Sequence, residues 1–258
     1  MILPLLICWG LTGAQAQSPG KIEQELLISF RQLQQLAVYN DVGHMKDHLD
    51  SIKQANNSFR SSLLAYTGAD RATFTYDFKE LEKEGLVIRS SEDGQFRIYS
   101  WDTRTGGADH VFDAVYQYRA GNNVFSTAAR NEEENDGKWY SNIYTLKTDT
   151  QTYYLGLYHE MHSSTDYVQG IKIFCIDHNE LNESVRLIRT SKGITNEIAF
   201  AYNFLSVAKR PERPAKLIYY DTDDDRLHLT IVKDDGTVTK QMVTYQFTGK
   251  YFELVKSR

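Results

Sequence analysis

The sequence predicts a mainly β protein, an antiparallel meander preceded by a short N-terminal α-helical hairpin. Apolar residues recur at helical spacing only before Leu86. Beyond it the apolar period becomes two, and 14 of the 17 tyrosines lie past residue 90. They keep company with Val, Ile, Phe and Thr, which suit a pleated, half-buried surface. Turn signals then recur at short intervals, which favours antiparallel neighbours, because parallel strands need long crossovers.

The chain opens with an apolar, uncharged run from Ile2 to Leu11, followed by the small-x-small pattern Ala14-Gln15-Ala16. That order predicts a secretory signal peptide over residues 1–16, cleaved after Ala16, although no Lys or Arg precedes the apolar run. The run is too short to span a bilayer, which takes about 20 apolar residues. Cys8 follows the bulky Ile7 rather than the small residue a lipidated cysteine requires. Loss of Cys8 leaves Cys175 as the single thiol, so the expectation is an exported chain with no internal disulfide. Ile173, Phe174 and Ile176 around it predict an inert core cysteine.

Residues 17–85 form the predicted helical segment. Ile22, Leu26, Phe30, Leu33 and Ala37 make one stripe. Asn40-Asp41-Val42-Gly43 interrupts it, with Asn40 or Asp41 as a cap for a second stripe of Met45, Leu49, Ile52, Phe59 and Leu63. Thr75 is the expected cap of a third helix ending at Glu84-Gly85. Residues 86–258 form the predicted antiparallel β domain, with ten to twelve strands expected. Glu92-Asp93-Gly94, Gly121-Asn122 and Asp136-Gly137 mark turns, and Asp235-Gly236 predicts a hairpin between Leu227–Lys233 and Thr237–Tyr245. Barrel, sandwich and propeller-like arrangements all fit this pattern.

The net charge of −5 argues against a general nucleic-acid binder, which needs a basic face to neutralise phosphates. No segment beyond the signal is long and apolar enough to predict a membrane span. Tyr158-His159-Glu160-Met161-His162 is not a zinc-protease motif, because the strand pattern sends His159 and His162 to opposite faces. With a four-residue turn Ser163–Asp166, one face is expected to carry Tyr153, Leu155, Leu157, Met161, Val168, Phe174 and Ile176 as core. The other would present Tyr154, Tyr158, Glu160, His162, Tyr167, Gln169 and Cys175. The candidate ligand-binding residues are therefore Tyr158, Glu160, His162 and Gln169, joined by Trp101 as a stacking ring for a glycan or other flat ligand. Trp139 is a further stacking candidate, and Asp102 and Asp113 are carboxylates near aromatics. Catalytic residues are not assignable from the sequence.

No cofactor and no metal are expected. Asp221, Asp223 and Asp225 have the alternate spacing of a calcium loop, but Arg226 replaces the turn glycine and Val232 the closing glutamate, which favours an acidic hairpin turn. His44 and His48 share a helical face without an identifiable third ligand, and Cys175 with His178 lacks a second pair. The acidic run Glu132–Asp136 reads as a solvated loop. The function expected is a non-enzymatic exported (periplasmic or secreted) binding or interaction module for a polar ligand, glycan or protein. The alternative is an exported hydrolase of glycans or peptides using carboxylates such as Glu160.

Overall fold

Two amphipathic helices form where the sequence places its helical stripes. The computed structural model describes residues 17–38, 45–106, 109–130 and 137–255. The signal segment with Cys8, the Asn40–Gly43 interruption with its cap, His44 and the acidic run Glu132–Asp136 lie outside the described residues. Helix α1 (Pro19–Val38) starts at a proline, whose missing N–H would be unpaired there anyway. The Ser18 carbonyl accepts from the N–H groups of Lys21 and Ile22 at 2.9 and 3.1 Å. Helix α2 is Met45–Ala69. Ile22, Leu26, Leu27, Phe30 and Leu33 of α1 pack with Ile52, Phe59 and Leu63 of α2.

The third helix is shorter than expected. Residues Arg71–Phe74 make a 3-10 turn capped by Asp70, whose carboxylate accepts from Ala72 N–H at 2.8 Å. Thr75 ends that turn instead of starting a helix, and α3 is only Lys79–Lys83. Its first turn is capped from a distance: buried Glu23 accepts from the N–H groups of Glu80 and Leu81 at 2.8 and 3.3 Å and from Tyr76 Oη at 2.7 Å. A carboxylate there satisfies helix-terminal donors that Thr75 cannot reach. Gly85, at φ +105°, ends the helix as expected.

Fifteen strands follow among the described residues. They are β1 (Val87–Ser90), β2 (Phe96–Asp102), β3 (Phe112–Ala120), β4 (Asn123–Ala128), β5 (Trp139–Lys147), β6 (Thr152–Met161), β7 (Asp166–Asp177), β8 (Glu180–Asn182), β9 (Ile188–Thr190), β10 (Gly193–Thr195), β11 (Glu197–Asn203), β12 (Ile218–Asp221), β13 (Arg226–Val232), β14 (Val238–Phe247) and β15 (Phe252–Leu254). The excess over ten to twelve lies in three-residue strands such as β8, β9, β10 and β15, which are too short to show alternation. They build three sheets, in the orders β1-β2-β3-β4, β11-β7-β6-β5 with β8 on β7, and β10-β9-β15-β14-β13-β12. No barrel closes. Pairing is antiparallel except where β15 meets β9, through Phe252 and Ile188. The Asp235-Gly236 hairpin joins β13 and β14 as expected, with Lys233 N–H donating to Thr237 O at 3.0 Å.

Three apolar clusters show how the sheets are stacked. Tyr99, Trp101 and Val115 on one side of β2 and β3 pack under α1 and α2. Phe96, Ile98, Ala114 and Tyr116 on the other side pack on Tyr140, Tyr154, Tyr158 and Phe174 of the second sheet. Leu155, Leu157, Ile171 and Ile173, on the reverse of the second sheet, pack on Ile218, Leu227, Leu229 and Phe252 of the third. The order is helices, first sheet, second sheet, third sheet. The middle sheet is therefore buried on both faces.

Candidate functional site

The register of β6 on β7 decides which candidate side chains meet. Tyr153 lies opposite Cys175, His159 opposite Gln169 and Met161 opposite Tyr167. The connection is tighter by one residue than the four-residue turn expected, because His162 N–H donates to Asp166 O at 2.9 Å. Ser163 Oγ accepts from the N–H groups of Thr165 and Asp166 at 3.2 and 2.9 Å. One residue of slip exchanges the faces of a whole strand. Val168, Phe174 and Ile176 thus join Tyr154, Tyr158, Glu160 and His162. Gln169, Tyr167 and Cys175 join the face of Leu155 and Leu157. The expected division into a core face and an open polar face is corrected as well, because both faces are covered by another sheet.

On the face toward the first sheet, Tyr158 is 1% exposed and its Oη donates to Glu197 Oε1 at 2.5 Å. Lys138 Nζ donates to both oxygens of Glu197, at 3.0 and 2.8 Å, and lies 4.3 Å from the centre of the Tyr158 ring. Burial, with the Glu197 charge beside it, pushes the Tyr158 phenol far above its ordinary range. Glu160 Oε2 lies 3.1 Å from His162 Nε2. Burial raises the Glu160 carboxyl above its ordinary value, and the charges of Lys138 and His162 oppose the rise. Tyr116 and Tyr140 meet hydroxyl to hydroxyl at 3.0 Å in the same layer. Lys172 pairs with Glu183 at 2.9 Å, with both side chains largely buried.

Two glycines make this layer fit. A Cβ on Gly170 would lie 2.3 Å from Tyr158 Cζ, and one on Gly156 would lie 2.9 Å from Tyr140 Cε1. The tyrosine rings lie flat across the strand where a side chain would stand, which is a recognised use of glycine within a strand.

On the opposite face Gln169 is fully buried. Its Oε1 accepts from the N–H groups of Leu217 and Ile218 at 2.9 and 2.6 Å, and its Nε2 donates to Ala215 O at 2.8 Å. Gln169 therefore ties β7 to the segment that leads into β12. These bonds fix which amide atom is nitrogen, and that nitrogen lies 3.4 Å from His159 Nδ1. Nδ1 is then the acceptor, so His159 carries its proton on Nε2, 2.8 Å from Ser141 Oγ. A base for a serine needs the reverse tautomer, with a bare nitrogen toward the hydroxyl. The Ser141–His159 pair is therefore a structural bond. The Trp139 ring stacks on His159 at 4.4 Å and 20° instead of offering a free platform. Burial holds His159 down to about 3 from 6.5.

The remaining candidates are dispersed. Trp101 is 1% exposed beneath the helices, its Nε1 donating to Asn56 Oδ1 at 3.0 Å and its ring meeting Phe59 edge-on. It is a core residue in another layer from Tyr158, Glu160, His162 and Gln169. Asp102 binds His110 at 2.6 Å and Arg104 at 3.1 Å. Asp113 binds Arg60 at 3.1 Å, and burial raises its carboxyl. Asp221 accepts from Asp223 N–H at 3.0 Å, Asp225 takes the Tyr220 hydroxyl, and Asp224 pairs with Arg226 at 3.0 Å. These carboxylates build the turn, and among the described residues no group of three His, Cys, Asp or Glu side chains converges as a metal site. Cys175 is buried, which pushes its thiol up to about 11. His178 is exposed and pairs with Asp177 at 2.8 Å. His48 lies on α2. No described helix is long and apolar enough to cross a membrane.

The residues missed in the sequence are Lys138, Ser141, Glu183 and Glu197. Glu197 lies 59 residues from Lys138 and 39 from Tyr158, and Ser141 and Glu183 meet their partners only through strand register. The strand glycines Gly156 and Gly170 were the one signal that rings lie across this sheet. Comparison of the chain with protein-family models, with curated proteins and with solved structures finds no match.

Proposed function

We propose that this chain is an exported, non-enzymatic binding or interaction module. One observation carries the reading. The acid–base side chains of the Tyr158–His162 segment are engaged with protein partners: Tyr158 with Glu197, which Lys138 also holds, Glu160 with His162, and His159 with Gln169 and Ser141. Export is supported by the apolar run Ile2–Leu11 followed by Ala14-Gln15-Ala16. Binding is supported by the outer face of the third sheet, where Leu227 and Leu229 point inward and the residues between and beside them point away. There the Tyr219 ring stacks on His228 at 4.7 Å with Lys216 Nζ 4.4 Å above it, and Arg189 covers Tyr251 at 4.6 Å. Partly exposed rings beside cations suit a polar ligand, a glycan or a protein surface.

The test uses the mature chain recovered from its native cell, with two variants. The exported fraction should contain a chain beginning at Gln17. Tyr219→Ala/Tyr251→Ala should fold and lose at least tenfold in affinity for the captured ligand, whereas Glu160→Gln/His162→Ala should keep it. An intact Met1 in the exported fraction would contradict cleavage after Ala16, and absence of the chain from that fraction would contradict export. Hydrolysis of a glycan or peptide that disappears in the folded Glu160→Gln/His162→Ala variant would contradict the non-enzymatic reading.

A further inference from the structure

Arg97 is the most buried arginine among the described residues, at 5% exposure, and no carboxylate there pairs with it. It stands on the helix-facing side of β2. Its Nη1 donates to the carbonyls of Thr73 and Phe74 at 3.1 and 2.8 Å, at the end of the 3-10 turn. The rings of Phe78 and Tyr99 flank it, at 5.7 and 5.2 Å. Nε is sealed from solvent and has no hydrogen-bond partner. A buried guanidinium held by neutral groups alone is costly, because desolvation of an ion is repaid only by an opposite charge or a full set of hydrogen bonds. Nε–H and the outer Nη2–H share the edge of the fork that grips a carboxylate or phosphate with two parallel bonds.

Arg97 lines a cavity of about 290 Å³ together with Arg119. The Arg119 guanidinium lies 4.5 Å from the centre of the Phe74 ring, and among the described residues its side chain joins no ion pair or hydrogen bond. The ring fixes the plane of the fork and leaves its donors free. The carboxylates at this cavity are otherwise occupied. Asp93 accepts from Ser91 Oγ at 2.6 Å, from Gln95 N–H at 3.1 Å and from Tyr154 Oη at 3.0 Å. Asp77 is exposed and lies 3.5 Å from Lys79. Arg119 also lines a second cavity of about 420 Å³ that reaches the β5–β6 turn.

We propose that the cavity between Arg97 and Arg119 is a binding site for a small ligand bearing a carboxylate or phosphate oxyanion. The oxyanion engages Arg97 from its outer Nη2 edge together with the Arg119 fork, and the rest of the ligand extends past Arg119 into the second cavity. The site is separate from the Tyr158–His162 network, and the inference holds whether or not the chain is an enzyme.

Thermal melts and calorimetric titrations of the full mature chain test it, with sodium phosphate and sodium acetate as probes against sodium chloride at matched ionic strength. Saturable binding and a raised Tm are expected with phosphate, acetate or both, and the stronger of the two identifies the oxyanion. Arg119→Ala should melt like the wild type without the probe and bind it at least tenfold more weakly. Arg97→Lys keeps the charge and loses the fork, and should also bind more weakly. Should Arg97→Lys fail to fold, Arg119→Ala decides alone. The inference is overturned if neither probe shifts Tm beyond chloride, or if Arg119→Ala binds the probe as tightly as the wild type.

Discussion

Gly170→Ala is expected to lower unfolding free energy by about 3 kcal/mol or more, the upper part of the range for overpacking a closed core. The added Cβ would lie 2.3 Å from Tyr158 Cζ and 2.4 Å from its Oη. The ring has little room to retreat, because it is buried, Oη is bonded to Glu197 and Lys138 lies over the ring. Displacing it would also leave Glu197 and Lys138 to each other in a largely buried place. Urea unfolding of Gly170→Ala, Tyr158→Ala and the double variant measures the effect. The two changes relieve one clash, so the double variant should be more stable than the sum of the single losses predicts. Simple additivity would show that the ring does not lie across Gly170.

Gln169→Leu is the second large effect, expected to cost about 4 kcal/mol. The substitution keeps the approximate volume and orphans two buried N–H groups and one carbonyl, each costing roughly 1–3 kcal/mol. Those groups belong to Leu217, Ile218 and Ala215, where the third sheet begins to pack on the second. The urea midpoint should fall with little change in slope. Amide exchange at Leu217 and Ile218 should accelerate more than exchange in β2 or β3, because the loss is local to that fastening. Equal acceleration throughout would mean that Gln169 does not hold this joint.

The parts of the fold legible in the sequence are those set by local pattern. The stripe Ile22–Leu26–Phe30–Leu33 is a helical face, and Asp235-Gly236 is a hairpin, because each needs only its neighbours to be specified. The start of α3 was not legible, because its cap is Glu23, 57 residues before Glu80. The site residues were found and misplaced for a related reason. Tyr158 and Glu160 on β6, His162 just after it and Gln169 on β7 do fall within one hairpin, but a turn one residue tighter moves Gln169 to the other face. A strand of tyrosines, histidines and glutamate reads as half-solvated. Here it is internal, because Glu197 and Lys138 arrive from distant segments to satisfy its polar atoms. Trp101, a candidate stacking ring in the sequence, is a core residue because the helices cover its strand.

We propose that the Tyr158–His162 segment and its partner strand fasten three sheets together without moving protons. His159 reports on this most directly. Burial lowers its pKa to about 3 from 6.5. The unfolded chain therefore takes up a proton below about pH 6.5 that the native chain refuses until about pH 3, so this group's contribution to stability is complete above 6.5 and is lost as pH falls through that window. Long-range proton–nitrogen NMR of the imidazole across the folded range is the decisive measurement. The expected result is a neutral His159 with its proton on Nε2 and no titration between about pH 8 and pH 5. A proton on Nδ1, or a midpoint near that of a free histidine, would contradict the claim and return the Ser141–His159 pair to consideration as a catalytic base.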